Sequence, residues 1–119
     1  MTTSEALPAT PAAENLPPRP EVTVVVPIQS QDAELSAVID SLSRELERLG
    51  RTWEALVVYD GVKGKLWEQG LALQAHTRQQ VRTIGRHKPF GESVCLASAF
   101  EHARGKVILT APEYVQVDP

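Results

Sequence analysis

Apolar and polar positions alternate along this chain in two distinct rhythms. "VTVVVPI" (22–28) is an unbroken, β-branched apolar run, the pattern of a strand covered on both faces. "WEALVVY" (53–59), the short "VRTIG" (81–85) and "KVILTA" (106–111) are mostly apolar runs of strand length and predict three more strands. Between them the spacing lengthens to that of helices. Leu35, Val38, Ile39, Leu42, Leu46 and Leu49 fall on one helical face, with Asp32 or Ser30 as candidate N-cap and Gly50 suited to the C-terminal end. "KLWEQGLALQAHTRQQ" (65–80) predicts a weaker helix, since an internal Gly70 costs about 1 kcal/mol relative to alanine. "ESVCLASAFEHAR" (92–104) predicts a third helix, stopped by Gly105 and able to pack closely through Ala97, Ser98 and Ala99. Regular strand–helix alternation implies right-handed crossovers and a mostly parallel sheet. Ligands of such sheets bind at the carboxyl ends of the strands. Attention therefore falls on "PIQSQD", "YDGVKG" and "PEY", which follow the first, second and fourth strands.

Composition narrows the picture. The 119 residues suffice for one domain, and the net charge of −3 argues against a general nucleic-acid binder. The single cysteine, Cys95, excludes an internal disulfide, fits a reducing, cytoplasmic setting, and lies among small residues as a packing thiol. Residues 1–20 contain Pro8, Pro11, Pro17, Pro18 and Pro20 and predict a disordered, partly extended tail ahead of a domain spanning 21–119. No basic start precedes an apolar run, as a signal peptide requires. No stretch approaches the roughly 20 apolar residues of a membrane span. A soluble chain, or one in peripheral contact with a membrane, is expected.

The three loops, in this order, carry a resemblance. "VVVPIQSQ", "VVYDGVKG", "PFGESVCLASAFEHARGK" and "APEYVQVDP" resemble the first half of family 2 glycosyltransferases, especially the dolichyl-phosphate mannosyltransferase-like branch, from about Val22 to Pro119. The resemblance implies a three-layer, Rossmann-like α/β sandwich of about four strands, order 3-2-1-4, of the nucleotide-diphospho-sugar transferase type. It also implies that Pro27, Asp60 and Gly61 belong to the nucleotide-binding segments. Other functional letters differ. Gln29, Ser30 and Gln31 stand where the family has Tyr, Asn and Glu, and Tyr59 stands where it has the aspartate that meets the base. At the family's metal triplet both aspartates are replaced, by Pro112 and Tyr114.

That last change decides the expected chemistry. Residues i and i+2 of an extended segment point the same way, so two carboxylates at that spacing can share one Mg²⁺ or Mn²⁺, which offsets the charge of a leaving diphosphate. Pro112 offers no side-chain donor and Tyr114 is neutral near pH 7. Glu113 brings a carboxylate expected to point the opposite way, although a turn at Pro112 could redirect it to a metal, which makes it a doubtful ligand. The family's acceptor-binding half and general base are not found in the sequence. The expectation is thus a domain without a catalytic residue, metal or cofactor, acting as a binding or assembly module. The alternative is an active or partner-completed transferase using Mg²⁺ or Mn²⁺ and a nucleotide-sugar, with a lipid phosphate or glycan as acceptor.

Other features have blander readings beside functional ones. No acidic residue lies between Glu68 and Glu92, where Arg78, Arg82, Arg86, Lys88, His76 and His87 cluster. This is either a phosphate or anionic-lipid patch or the charge that protects an edge strand. Lys63 and Lys65 flank Gly64 and could meet a diphosphate, while Trp53 and Trp67 are expected to pack between helix and sheet. In the order 3-2-1-4, "KVILTA" leaves an apolar edge open, so a homodimer or a docked chain is expected through residues 106–111.

Overall fold

A computed structural model describes residues 18–86 and 92–113. The elements run β1 (Val22–Ile28), α1 (Leu35–Arg48), β2 (Trp53–Asp60), α2 (Lys65–His76), β3 (Val81–Arg86), α3 (Glu92–His102) and β4 (Val107–Thr110). The strands form one parallel sheet in the order β3-β2-β1-β4. This is the α/β, Rossmann-like sandwich expected from the sequence. Strand-to-strand return over a helix demands the parallel pairing, and β-branched residues fill the strands because both faces of β1 and β2 are covered.

Alternation along the strands sorts the core into two halves. Val24, Val26, Ala55, Val57 and Tyr59 face α1 and α2, where Leu35, Val38, Ile39, Leu46 and Leu66 meet them. Val25, Leu56, Val58 and Ile84 face α3 and meet Ala99 and Leu96. Trp53 is buried in the first cluster, and Trp67 packs edge-on against Tyr59 with ring centroids 5.2 Å apart. Both tryptophans are therefore packing residues, as their positions predict.

Four local expectations change. Neither Ser30 nor Asp32 caps α1. The N-cap is Glu34, without a side-chain cap, and Ser30 Oγ instead accepts the Asp32 N–H at 3.0 Å within the preceding turn. Leu49 leaves the apolar face because it is already the C-cap, where the chain turns into Gly50 at φ 71°, and it is exposed. The second helix ends at His76, not at residue 80. Arg78 and Gln79 take positive φ and turn the chain into β3. Arg82 is neither surface patch nor edge guard. It is 2 % exposed, and its Nη2 donates to Glu54 Oε1 at 2.9 Å and to the His102 carbonyl at 2.6 Å.

Gly70 explains its own presence in α2. A Cβ there would collide with Tyr59 Oη and lie 2.9 Å from Thr83 Oγ1. Its helix-propensity cost is the condition for seating Tyr59 beneath the helix. At the chain's entry Pro20 is buried, and Arg19 Nε donates to the Arg104 carbonyl at 2.7 Å. The rest of the proline-rich segment, residues 1–17, lies outside the described residues, as do His87, Lys88, Phe90, Gly91, Tyr114, Gln116 and Asp118. The side chains of Arg86 and Cys95 do so as well.

Candidate functional site

The carboxyl ends of β1, β2 and β4 bring the three singled-out loops together. Pro27 lies within β1, buried, and its register explains its tolerance. Glu21 and Val25 direct their carbonyls to the β4 side, where Lys106, Val107 and Ala111 donate to them. By the same alternation Pro27 faces that side, but β4 pairs only as far as Val25. Proline's missing N–H thus falls where no strand remains to accept it.

Tyr59 and Asp60 end β2 with opposite fates. Tyr59 turns inward and is fully buried, and its hydroxyl donates to the Leu66 carbonyl at 2.6 Å. Burial pushes its pKa well above the ordinary phenol range. The side chain at the position expected to meet a base is therefore a core residue locked under α2. Asp60 is also buried, and its Oδ2 accepts Gln29 Nε2 at 3.4 Å. Gly61 follows at φ 83°, the left-handed conformation that lets the strand break sharply into the loop. Lys63, Gly64 and Lys65 are exposed at the start of α2.

Glu113 takes the redirected course that the sequence left open. The exposed Pro112 turns the chain after β4, and the Glu113 carboxylate reaches back to the first loop. Its Oε1 accepts the Gln29 backbone N–H at 2.8 Å, while its carbonyl accepts the Glu34 N–H at 2.8 Å. Gln29 is thus held from both sides, its main chain by Glu113 and its side-chain amide by Asp60. No signal in the sequence marked this role; Gln29 read only as a departure from a motif.

The family's divalent cation fits this donor set poorly. Pro112 supplies no side-chain donor atom, and the two carboxylates at the mouth receive hydrogen bonds from Gln29. Among the described residues no group of three or more His, Cys, Asp or Glu side chains gathers. Hard divalent cations require several oxygen ligands at once.

The sequence reading also missed a buried polar layer at the amino ends of the strands. Glu54 Oε2 accepts Thr23 Oγ1 and the Arg104 N–H, each at 2.7 Å, and Oε1 accepts Arg82. Burial lowers the Arg82 pKa, and the Glu54 carboxylate opposes that shift. The signal was present: a carboxylate and a guanidinium stand inside otherwise apolar strands, one in "WEALVVY" and one in "VRTIG".

No protein-family model matches the chain. It is similar to the undecaprenyl-phosphate 4-deoxy-4-formamido-L-arabinose transferases of Salmonella paratyphi B and Salmonella newport. Each is 24% identical over 102 residues, which make up 86% of this chain and 31% of the relative. The chain thus spans about a third of the length of the curated relatives it matches. This weak homology to a lipid-phosphate sugar transferase supports kinship with family 2 glycosyltransferases. Among the described residues no helix is long and apolar enough to cross a membrane.

Proposed function

We propose that this glycosyltransferase-like domain is a non-catalytic binding and assembly module, cytoplasmic in setting. The observation that carries the assembly role is β4. Val107, Ile108 and Leu109 are 52%, 39% and 48% exposed, although they belong to a parallel sheet. Val107 and Leu109 share the face of Val22 and Val24, and Ile108 shares that of Thr23, so both faces of the strand lie open. Parallel strands are ordinarily covered on both faces, and open apolar edges recruit further polypeptide. A second copy pairing along residues 106–111 satisfies this edge.

At the donor end the same reading draws on the side chains. Tyr59 is committed to the core, and Asp60 and Glu113 are engaged by Gln29. Asp60, Gly61 and Pro27 remain the frame for whatever nucleotide contact persists, without a metal. One observation favours the second reading, a partner-completed transferase. Asp60 and Glu113 converge on one residue of the first loop, Asp60 on the Gln29 side-chain amide and Glu113 on its backbone N–H, so two carboxylates stand together at the donor end.

Sedimentation velocity across a range of concentrations tests the assembly role. Species above the 13.0 kDa monomer are expected, and Ile108→Lys with Leu109→Lys is expected to remove them. A chain that stays monomeric at high concentration contradicts pairing through β4.

A further inference from the structure

The basic stretch of the sequence separates in three dimensions. Arg82 is interred with Glu54, but Arg78 lines a cleft at the amino ends of β2 and β3, the sheet end opposite Gln29, Asp60 and Glu113. This cleft has a volume of about 470 Å³, within the roughly 300–1,000 Å³ range of small-molecule sites. Arg19, Arg51, Arg78 and Arg104 line it from four different segments, against the carboxylates of Glu47 and Glu54. Glu54 is already committed to Arg82, Thr23 and the Arg104 N–H. Arg51 meets Glu21 at 3.2 Å, but both side chains are about half exposed, and such pairs are readily exchanged for a better anion. Positive charge therefore dominates the cleft, in a chain whose net charge is negative.

A second observation concerns the backbone. Arg78 and Gln79 hold φ of 55° and 72°, a conformation where glycine is unstrained and a side chain with Cβ is not. Strain of this kind persists where a particular side chain is needed in place. Here it fixes the start of Arg78 at the wall of the cleft.

We infer that this cleft is an anion site for a phosphate-bearing ligand, a free phosphate compound or a phospholipid headgroup. Guanidinium forks match pairs of phosphate oxygens, and several arginines around one cleft favour a doubly charged group over a single carboxylate. The site is independent of the donor-end loops and of the assembly role of β4.

Inorganic pyrophosphate is the first probe, titrated into the full chain and followed by ¹H–¹⁵N NMR. Saturable shifts at amides of residues 51–54 and 77–80 are expected, with a Kd below about 1 mM. Arg51→Ala with Arg78→Ala is expected to weaken binding at least about tenfold, roughly the value of one charge-assisted contact. Arg44→Ala, at an exposed arginine of α1 that does not line the cleft, leaves it unchanged. Arg78→Gly separates function from folding: it raises the unfolding midpoint by relieving the positive φ, yet weakens pyrophosphate binding. Co-sedimentation with vesicles containing phosphatidic acid, whose phosphomonoester can carry two charges, against phosphatidylcholine vesicles, identifies the source. Retention lost in the double arginine variant assigns a headgroup, and pyrophosphate binding without retention assigns a soluble phosphate. Absence of both, or binding indifferent to Arg51 and Arg78, overturns the inference.

Discussion

Glu54→Leu is expected to destabilise the fold by about 3–5 kcal/mol, the range for removing one partner of a buried ion pair. Glu54 and Arg82 are 1 % and 2 % exposed, so neither charge can turn to water when the other is lost. The substitution strands more than the guanidinium. Thr23 Oγ1 and the Arg104 N–H lose their acceptor as well, and each unsatisfied buried donor adds about 1–3 kcal/mol before relaxation. Arg82 Nε has no partner among the described residues even in the intact layer, so little reserve remains to absorb the loss. The double variant Glu54→Leu with Arg82→Met discriminates pairing from packing. Replacing both charges by apolar side chains of similar volume is expected to recover most of the stability. Urea unfolding of the parent chain and the two variants measures this. A single-variant loss below about 1 kcal/mol would mean that the layer is hydrated.

Gly105→Ala is the second large effect, about 2–4 kcal/mol, at or above the usual range for overpacking. The chain enters β4 by passing close over β1. A Cβ at Gly105 would stand 2.5 Å from the Thr23 nitrogen and 2.7 Å from both Thr23 Oγ1 and the Val22 carbonyl carbon. Those are mainly backbone atoms of the central strand, which cannot swing aside. Gly105 N also donates to Thr23 Oγ1 at 2.8 Å, so displacement disturbs the hydroxyl that serves Glu54. Gly50→Ala is the control. Its φ of 71° imposes a backbone cost of roughly 1–2 kcal/mol, but nothing lies within 4 Å of the added methyl. Equal losses at positions 50 and 105 in thermal unfolding would contradict the close approach.

The parts of this fold that were legible in the sequence are those governed by one strong physical preference. Apolar β-branched runs at 22–28 and 53–59 leave a buried parallel strand as the consistent reading, and the 3.6-residue spacing of Leu35, Val38, Ile39 and Leu46 does the same for α1. Gly50 was readable because the left-handed turn after a helix favours glycine. The failures occur where tertiary partners decide. Ser30 and Asp32 have the chemistry of caps, but the turn they occupy is fixed by Gln29 and Glu34 bonding to Glu113, 84 and 79 positions away. Arg82 looked like surface charge because its partner sits on another strand. Strand alternation alone points Glu113 the opposite way, a rule that stops applying once β4 ends at Thr110 and Pro112 turns the chain. Tyr59 was legible as a changed letter, but its burial depends on Gly70 opening room beneath α2.

The function proposed above is that of a glycosyltransferase-like frame that no longer performs donor chemistry. Titration calorimetry with UDP- and GDP-sugars, with and without Mn²⁺, tests it most directly. The Arg51→Ala, Arg78→Ala background keeps the basic cleft from competing for the diphosphate. The account predicts no binding tighter than about 1 mM, or roughly −4 kcal/mol, and no effect of the metal. Mn²⁺-dependent binding tighter than that, abolished by Asp60→Ala or Glu113→Ala, would contradict it.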